Sequence, residues 1–402
     1  MTTTYTERIL PWLCFIGLAT PATAQTGVEV ARGYREANEA AIVRDFAEML
    51  TYPNRARDLA DITRAAEHIR DRMRDVGVIA RLLSIEGVAP LVFGEVRVAG
   101  ATRTLGLYAH YDGQPVDPAN WTHPPFEPTL YTDALEAGGT PRRLPERDEP
   151  VDPAWRLYAR SAGDDKAPIE AFLTVLEAFR QGEVTPTSNL VFLFDGQEEA
   201  GSRQLGDYME LIRETVDEVD IWLFCDGPAH QSGRPLLAFG ARGSMGLEVT
   251  VYGATRNLHS GHYGNWAPDT GLILARLLAS MKDDAGRVLI DGWYEHGGTA
   301  RSQRGGGGSV ATRTSMSDPF VQQVIAAATE AADRSFAEGA LVLSPGLGET
   351  LPIALFTDVW QKPAIVVPIA NHDNNQHAPD ENLRLGNLWY GIELFAEVLT
   401  MP

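Results

Sequence analysis

The sequence predicts an α/β fold in which a mixed, largely parallel sheet is flanked by helices. Apolar segments short enough for strands alternate along the chain with longer segments whose apolar residues recur at helical spacing. Two strand segments, Leu190–Phe194 and Ile221–Cys225, are apolar throughout, which is typical of strands that helices cover on both faces. Strands that alternate with helices favour parallel pairing, and this alternation decides the fold class.

The individual elements follow from local patterns. Apolar residues spaced by three and four predict a helix from Asp58 to Val76. Two strands, Pro90–Val98 and Thr104–His110, flank a turn at Gly100, whereas the Pro-rich segment Trp121–Leu130 is predicted to be irregular. The remaining predicted elements are a charged loop over Thr140–Pro153, helices over Lys166–Arg180, Asp269–Met281 and Asn387–Leu399, a helix after Pro319, and strands over Leu247–Val251 and Ala364–Pro368.

Composition is that of a globular enzyme and argues against some partners. The chain has 402 residues, which is long enough for two domains or for one domain with an insertion. Of these residues, 44% are hydrophobic and 22% are charged. The formal net charge of −20 at pH 7 argues against nucleic acid and anionic membranes, both of which attract basic surfaces.

The first 24 residues are predicted to be a signal peptide. Arg8 precedes the apolar run Ile9–Ala19, and Ala22–Ala24 supplies small residues before a cleavage site. The run is too short to anchor the chain in a bilayer as a helix. Because it fits a cleaved signal peptide, we expect a periplasmic or secreted protein; the alternative is an uncleaved buried segment. Cleavage would remove Cys14 and leave Cys225, which we predict to be a buried strand residue.

His110 and Asp112 come at the end of the predicted strand Thr104–His110, and a Gly and a Pro follow soon after. In α/β sheets, ligands gather beyond the carboxyl ends of strands. A histidine there can bind a metal while a carboxylate two residues on orients its ring. A polar turn at the strand end is the alternative, so the metal hypothesis depends on further clusters.

Pairs of adjacent carboxylates form two such clusters. Asp164 and Asp165 would repel each other unless they share a cation, although in isolation a solvated turn and helix N-cap is the better explanation of the pair. Glu198 and Glu199 follow the strand Leu190–Phe194, a position that suits one carboxylate for metal binding and the other for proton transfer.

Asp226 and His377 complete the pattern, because each follows an apolar strand. Two histidines and three carboxylates suit a pair of borderline divalent ions that share one carboxylate. The predicted ligands are His110, Asp164, Glu199, Asp226 and His377.

These motifs resemble the dinuclear zinc metallopeptidase family that includes carnosinase-like dipeptidases, glutamate carboxypeptidase and aminoacylase. The resemblance extends from about Tyr34 to the C-terminus, and the dipeptidase-like branch fits best because Asp226 follows the glutamate pair. The motifs occur in the family's order at 110–115, 124–128, 164–166, 196–202, 259–264 and 375–382.

The resemblance implies two zinc ions, with manganese or cobalt as alternatives, and it implies how they are ligated. His110 and Asp226 would bind one zinc each, Asp164 would bridge the two ions, and Glu199 and His377 would complete the set. The resemblance also implies a cis peptide bond between Asp164 and Asp165.

Catalytic roles follow from the same resemblance. Asp112 would orient His110, and Glu198 would be the general base and acid for a water that the two ions activate to attack an amide carbonyl. His259 would stabilise the oxyanion from the lid of a partner chain, since homodimers are expected in the family. The implied activity is hydrolysis of dipeptides or short peptides.

The domain organisation departs from the family's pattern. We expect the catalytic domain at 25–239 and 312–402, and an inserted, truncated α+β lid at 240–311 with a Gly-rich connector at 305–309. No position can be assigned to the family's arginine that grips the substrate carboxylate. In the family's substrate loop, here Gly348–Pro352, the additional carboxylate of Glu349 would repel such a group.

Two alternatives stay open. Hydrolysis of N-acyl amino acids would use the same metal centre, because the pocket and not the metals distinguishes these substrates. A lid-deficient metal-binding protein with little turnover is the second alternative, because lid closure positions substrates.

Overall fold

The computed structural model describes residues 25–245, 248–293 and 308–402. Its α-helices are α1 Gly27–Leu50, α2 Leu59–Asp75, α3 Lys166–Gln181, α4 Leu205–Leu211, α5 Arg213–Glu218, α6 Ser260–Tyr263, α7 Thr270–Ser280, α8 Pro319–Ser335 and α9 Leu385–Thr400. Its strands are β1 Ile79–Leu83, β2 Leu91–Val96, β3 Thr104–His110, β4 Thr129–Tyr131, β5 Pro141–Arg142, β6 Arg156–Tyr158, β7 Asn189–Asp195, β8 Ile221–Phe224, β9 Leu236–Ala238, β10 Ser244–Met245, β11 Gly308–Ser309, β12 Val342–Ser344, β13 Ala364–Val366 and β14 Asn382–Arg384.

The central sheet has eight strands in the order β1-β2-β7-β3-β8-β13-β9-β12. Strands β7, β3, β8 and β13 run parallel to one another, as do β9 and β12. Antiparallel pairs join β1 to β2, β2 to β7, and β13 to β9. The predicted fold class, a mixed and largely parallel sheet between helices, is confirmed.

Both faces of this sheet are buried. In β7, Leu190, Phe192 and Phe194 belong to a core cluster formed with α1, α3, α8 and α9. The alternate residues Val191 and Leu193 belong to a second cluster formed with α4 and α5. Because successive side chains of a strand point to opposite faces, a strand between two apolar layers needs apolar residues at every position.

A second, antiparallel sheet has the order β14-β6-β4-β5. Its strand β4 begins at Thr129, inside the segment that the sequence predicts to be irregular, and β5 lies within the predicted charged loop. Pairing explains both corrections: β4 lies between β6 and β5, so its backbone groups are satisfied despite the neighbouring prolines.

The prediction of a strand at Leu247–Val251 is wrong for its described residues, 248–251. Residues 248–251 form no strand, and Leu247 lies outside the described residues. Helix α7 follows as predicted, and Asp269 caps it by accepting a hydrogen bond from the Leu272 N–H (3.0 Å). No side chain of α7 is buried. A strand needs a paired neighbour and an apolar surface to cover, and the described residues of this segment provide neither for 248–251.

Two predictions fall largely on residues that the structure does not describe, the leader at 1–24 and positions 305–307 of the Gly-rich connector. The domain boundaries stay predictions. None of the helices within the described ranges combines the length and apolar character that a membrane crossing requires.

Candidate metal centre

Three of the predicted site segments meet because their strands are parallel neighbours. In the register of the sheet, His110 at the end of β3 pairs with Asp195 at the end of β7, and Tyr108 pairs with Phe224 at the end of β8. The turns that follow these strands therefore leave the same edge of the sheet. They carry Asp112, Glu198, Glu199 and Asp226.

The remaining segments arrive from the second sheet. Asp164 and Asp165 lie between β6 and α3, and His377 lies between β13 and β14. Because β6 and β14 pair directly, the two loops lie together, and the approach of Asp164 Oδ1 to His110 Nε2 (2.8 Å) places them at the edge of the central sheet. The Asp164–Asp165 peptide bond is cis, as the resemblance implied.

One group of possible metal ligands consists of His110, Asp165 and Asp226. Each side chain is buried, and their ligand atoms lie within 4.8 Å of one another. His110 Nε2 lies 3.6 Å from Asp226 Oδ2. Asp165, which the sequence interpretation left without a role, also accepts a hydrogen bond from the His110 backbone N–H (3.2 Å).

A second group consists of Asp164, Glu199 and His377, again within 4.8 Å of one another. His377 Nε2 lies 3.0 Å from Asp164 Oδ2 and 3.1 Å from Glu199 Oε2. Asp164 Oδ1 in turn lies 2.8 Å from His110 Nε2 in the first group. The two oxygens of Asp164 thus face one histidine of each group, the position that a bridging carboxylate requires.

Asp112 connects the strand end to the glutamate pair. Its Oδ1 lies 3.4 Å from His110 Nδ1, on the opposite side of the ring from the ligand groups. The same carboxylate accepts backbone hydrogen bonds from Glu198 (3.0 Å) and Glu199 (3.2 Å). Asp112 is fully buried, and its burial raises its pKa to about 6. The side chain therefore orients the histidine and fixes the loop that carries both glutamates.

Glu381 fixes the loop that carries Asp164 and Asp165. Its Oε1 accepts the backbone N–H groups of Gly163 (3.0 Å) and Asp164 (2.9 Å), and its Oε2 forms a buried ion pair with Arg160 (2.7 Å). Glu381 lies in the motif at 375–382 and was not predicted as a site residue. An acidic residue between an Asp and an Asn does not reveal a buried position.

The donor atoms fit divalent cations. Burial raises the pKa of Glu198 well above its usual range and, with the added repulsion of Asp164, raises that of Asp226 to about 8. Glu199 Oε1 is buried without a hydrogen-bond partner among the described residues. A divalent ion would offset the repulsion and satisfy such an oxygen, and imidazole nitrogens with carboxylate oxygens are donors that zinc accepts.

A cavity of about 410 Å³ opens beside the cluster. Its charged lining consists of four carboxylates and one histidine: Asp164, Glu198, Asp226, Glu349 and His377. Burial, with a further contribution from Asp164, raises the pKa of Glu349 to about 7. A small polar ligand in this cavity would contact Glu198 and both ligand groups together.

His259 does not line this cavity. It is exposed at the N-terminus of α6, where its ring lies 4.6 Å from that of His262 and its Nδ1 accepts a hydrogen bond from the Gly261 N–H (3.1 Å). The structure thus brings together His110, Asp112, Asp164, Glu198, Glu199, Asp226 and His377, and leaves His259 outside. The individual roles predicted for these residues stay predictions.

The fold and the paired ligand groups are those of a metallopeptidase scaffold. A model of peptidase family M20/M25/M40 matches residues 106–401. The chain belongs to this family, which confirms the resemblance seen in the motifs.

Two curated relatives show the extent of the similarity. The Cys-Gly metallodipeptidase of Candida albicans is 26% identical over 215 residues, which cover 51% of this chain and 39% of the relative. The human Beta-Ala-His dipeptidase is 28% identical over 210 residues, which cover 52% of this chain and 37% of the relative. The matches thus span about two fifths of the length of these relatives.

Solved structures share the fold over most of the chain. A dipeptidase from Saccharomyces cerevisiae superposes with a TM-score of 0.69 at 18% identity, covering 93% of this chain and 98% of the yeast chain. A metallo-carboxypeptidase from Sulfolobus solfataricus gives a TM-score of 0.70 at 20% identity, covering 90% and 98%. At these identities the likeness establishes the architecture alone.

Proposed function

We propose that the chain is a metal-dependent hydrolase that cleaves the amide bond of dipeptides or short peptides. The observation that carries the proposal is the arrangement of the two ligand groups and Glu198 around one cavity. The names of the curated relatives, a Cys-Gly dipeptidase and a Beta-Ala-His dipeptidase, support dipeptides as the substrate class.

Two divalent ions, which we take to be zinc, would be held by the two groups and would polarise the amide carbonyl and acidify a water molecule. The carboxylate of Glu198 then accepts the proton of the attacking water and delivers it to the leaving amine. The burial that raises the pKa of Glu198 suits a group that both accepts and donates a proton. Asp112 keeps Glu198 in place through the backbone hydrogen bond described above.

We also propose that His259 stabilises the oxyanion, which its position in this structure does not allow without a rearrangement or a second chain. Because the ring is exposed on α6 and does not line the cavity, the role requires movement of the lid or a second copy of the chain. The absence of buried side chains in α7 favours the alternative of a metal-binding protein with slow turnover, because an unsupported lid positions substrate poorly.

The test is hydrolysis by the zinc-loaded protein of a panel of dipeptides and N-acyl amino acids, with Glu198→Gln as the critical variant. We expect cleavage of dipeptides by the wild type and a loss of about 10²–10⁴-fold in kcat in Glu198→Gln, with the metal content unchanged. The control is Glu338→Gln, the same chemical change at an exposed position. Wild-type rates in Glu198→Gln would contradict the mechanism, and full metal content without turnover on any substrate would support the slow-turnover alternative.

Export is a separate part of the proposal and is supported by the pattern at Ile9–Ala19 and Ala22–Ala24. N-terminal sequencing of the protein recovered from the extracytoplasmic fraction tests it. A mature N-terminus at Gln25 is the expected result, and an intact Met1 in a cytoplasmic fraction would contradict export.

A further inference from the structure

Glu349 is a charged residue of the cavity that neither ligand group includes. It lies above the turn after β8: its Oε2 is 2.8 Å from the point that a Cβ on Gly227 would occupy, directly beside Asp226. The loop that carries it also supplies Thr350 and Leu351 to the cavity wall. Glu349 is therefore placed to contact a bound ligand.

The carboxylate of Glu349 has no lysine or arginine partner among the described residues. The positive charge that acts on it comes from His377, whose imidazole is neutral once it binds a metal ion. Within the described ranges Glu349 accepts no hydrogen bond and forms no ion pair. Arg242 contacts the adjacent Gly348 through its guanidinium, yet does not pair with Glu349. None of the described residues that line the cavity is a lysine or an arginine. A partly buried carboxylate without a partner is unfavourable unless a ligand supplies the opposite charge.

The charge balance of the site leads to the same conclusion. The ligand groups contain four carboxylates, those of Asp164, Asp165, Glu199 and Asp226, which two divalent ions would neutralise. Three further carboxylates lie at the site. Asp112 accepts two backbone N–H groups and Glu198 exchanges a proton in the proposed reaction, whereas Glu349 has neither source of compensation. Opposite charge favours a bound ligand and like charge disfavours it, so the site favours a substrate with a cationic group and disfavours one with an additional anion here.

We propose that Glu349 binds the primary ammonium group of the substrate and so selects peptides with a free amino terminus over N-acylated amino acids. The inference rests on the proposed function, whose substrate class it narrows. It assigns a specificity role to the one carboxylate of the cavity that neither ligates metal nor transfers the proton. It also decides between the two amide substrates that the metal centre alone leaves open.

The test uses a substrate pair that differs only in the ammonium group, alanylglycine and propionylglycine. The wild type is expected to cleave alanylglycine with a higher kcat/KM than propionylglycine. Glu349→Gln is expected to lower the ratio of these two kcat/KM values about tenfold, by reducing kcat/KM for alanylglycine and leaving that for propionylglycine unchanged. The change of the ratio is decisive, because the ammonium group also activates the carbonyl chemically. Glu338→Gln is the matched control and should leave the ratio unchanged.

Three results would overturn the proposal. Unchanged kcat/KM values for both substrates in Glu349→Gln would show that the carboxylate does not recognise the ammonium group. An equal loss on both substrates would assign Glu349 a general role in the site. Loss of a metal ion in Glu349→Gln, measured by elemental analysis, would make it a metal ligand.

A binding measurement separates this inference from the proposed function. Calorimetry on zinc-loaded Glu198→Gln, with and without Glu349→Gln, compares the affinities of alanylglycine and propionylglycine in the absence of turnover. If alanylglycine binds more tightly only when Glu349 is present, the inference is supported. If the wild type also hydrolyses neither compound, the proposed hydrolase function is rejected while the inference stands. Equal affinities in both proteins would reject the inference even if the wild type is active.

Discussion

The backbone N–H of Glu198 donates a hydrogen bond to Asp112 Oδ1 at 3.0 Å, so the turn after β3 holds the turn after β7. The same carboxylate faces His110 Nδ1 and accepts the N–H of Glu199. One buried side chain thereby fixes a proposed ligand from each group and the proposed proton carrier.

Asp112→Asn is expected to weaken zinc binding and catalysis by about 10–100-fold each, because an amide can accept only one of the two N–H groups and orients His110 less firmly. Zinc affinity is measured by competition with a chelator, alongside kcat for a dipeptide. The control is Asp207→Asn, the same change at an exposed position on α4. Wild-type zinc affinity in Asp112→Asn would show that the histidine needs no such support.

Glu381→Gln is expected to reduce the free energy of unfolding by about 3–5 kcal/mol, because it removes the negative charge that pairs with the buried Arg160 guanidinium. Urea denaturation measures the effect. Glu146→Gln breaks an exposed pair with Arg143 and should cost less than about 1 kcal/mol. Similar losses in the two variants would mean that the buried pair has no special importance.

Two glycine substitutions are expected to have opposite effects. A Cβ on Gly106 would overlap the Trp222 indole in the adjacent strand, so Gly106→Ala should destabilise the protein by about 1–3 kcal/mol. Gly33 lies within α1 with open space around its Cα, so Gly33→Ala should stabilise it by about 0.5–1 kcal/mol. Thermal unfolding compares the two, and a loss of stability in both would contradict the packing argument.

His68 is expected to make the stability pH-dependent. Burial, reinforced by Arg72 and Lys166, lowers its pKa from 6.5 to about 4. Above pH 6.5 the imidazole is neutral in both states; between pH 6.5 and about 4 only the unfolded chain binds the proton, so the free energy of unfolding falls as the pH falls.

His68→Phe keeps a ring against Tyr52 and removes this titration. Urea denaturation of the metal-free proteins at pH 7 and pH 4.5 should show a smaller loss of stability in the variant than in the wild type. An equal loss in both proteins would exclude His68 as a source of the acid sensitivity.

The sequence predicted most strands and helices around the central sheet because their signals are local. His110, Glu199 and Asp226 each follow an apolar strand, and parallel strands bring such positions to one edge. Helix α1 was not predicted: it bends at Asn38, so its apolar residues do not keep one helical phase, although the capping box of Thr26 and Glu29 was visible in the sequence.

The remaining features depend on tertiary contacts. Asp164 and Asp165 are adjacent and identical in type, so only the folded backbone decides which ligand group each side chain joins. Glu381 is buried in an ion pair with Arg160, a contact that the sequence does not show. The position of Glu349 beside Gly227 joins segments far apart in the sequence. The strand predicted at Leu247–Val251 failed over 248–251 because strands need neighbours, which local patterns do not reveal.

Metal stoichiometry tests most directly whether the two ligand groups hold two metal ions. The protein is stripped with a chelator, reconstituted with zinc, dialysed and submitted to elemental analysis. Two zinc ions per chain are predicted for the wild type and about one for His110→Ala and for His377→Ala, because each substitution removes a donor from one group only. A wild type that retains no zinc, or the same zinc content in both variants as in the wild type, would contradict the account.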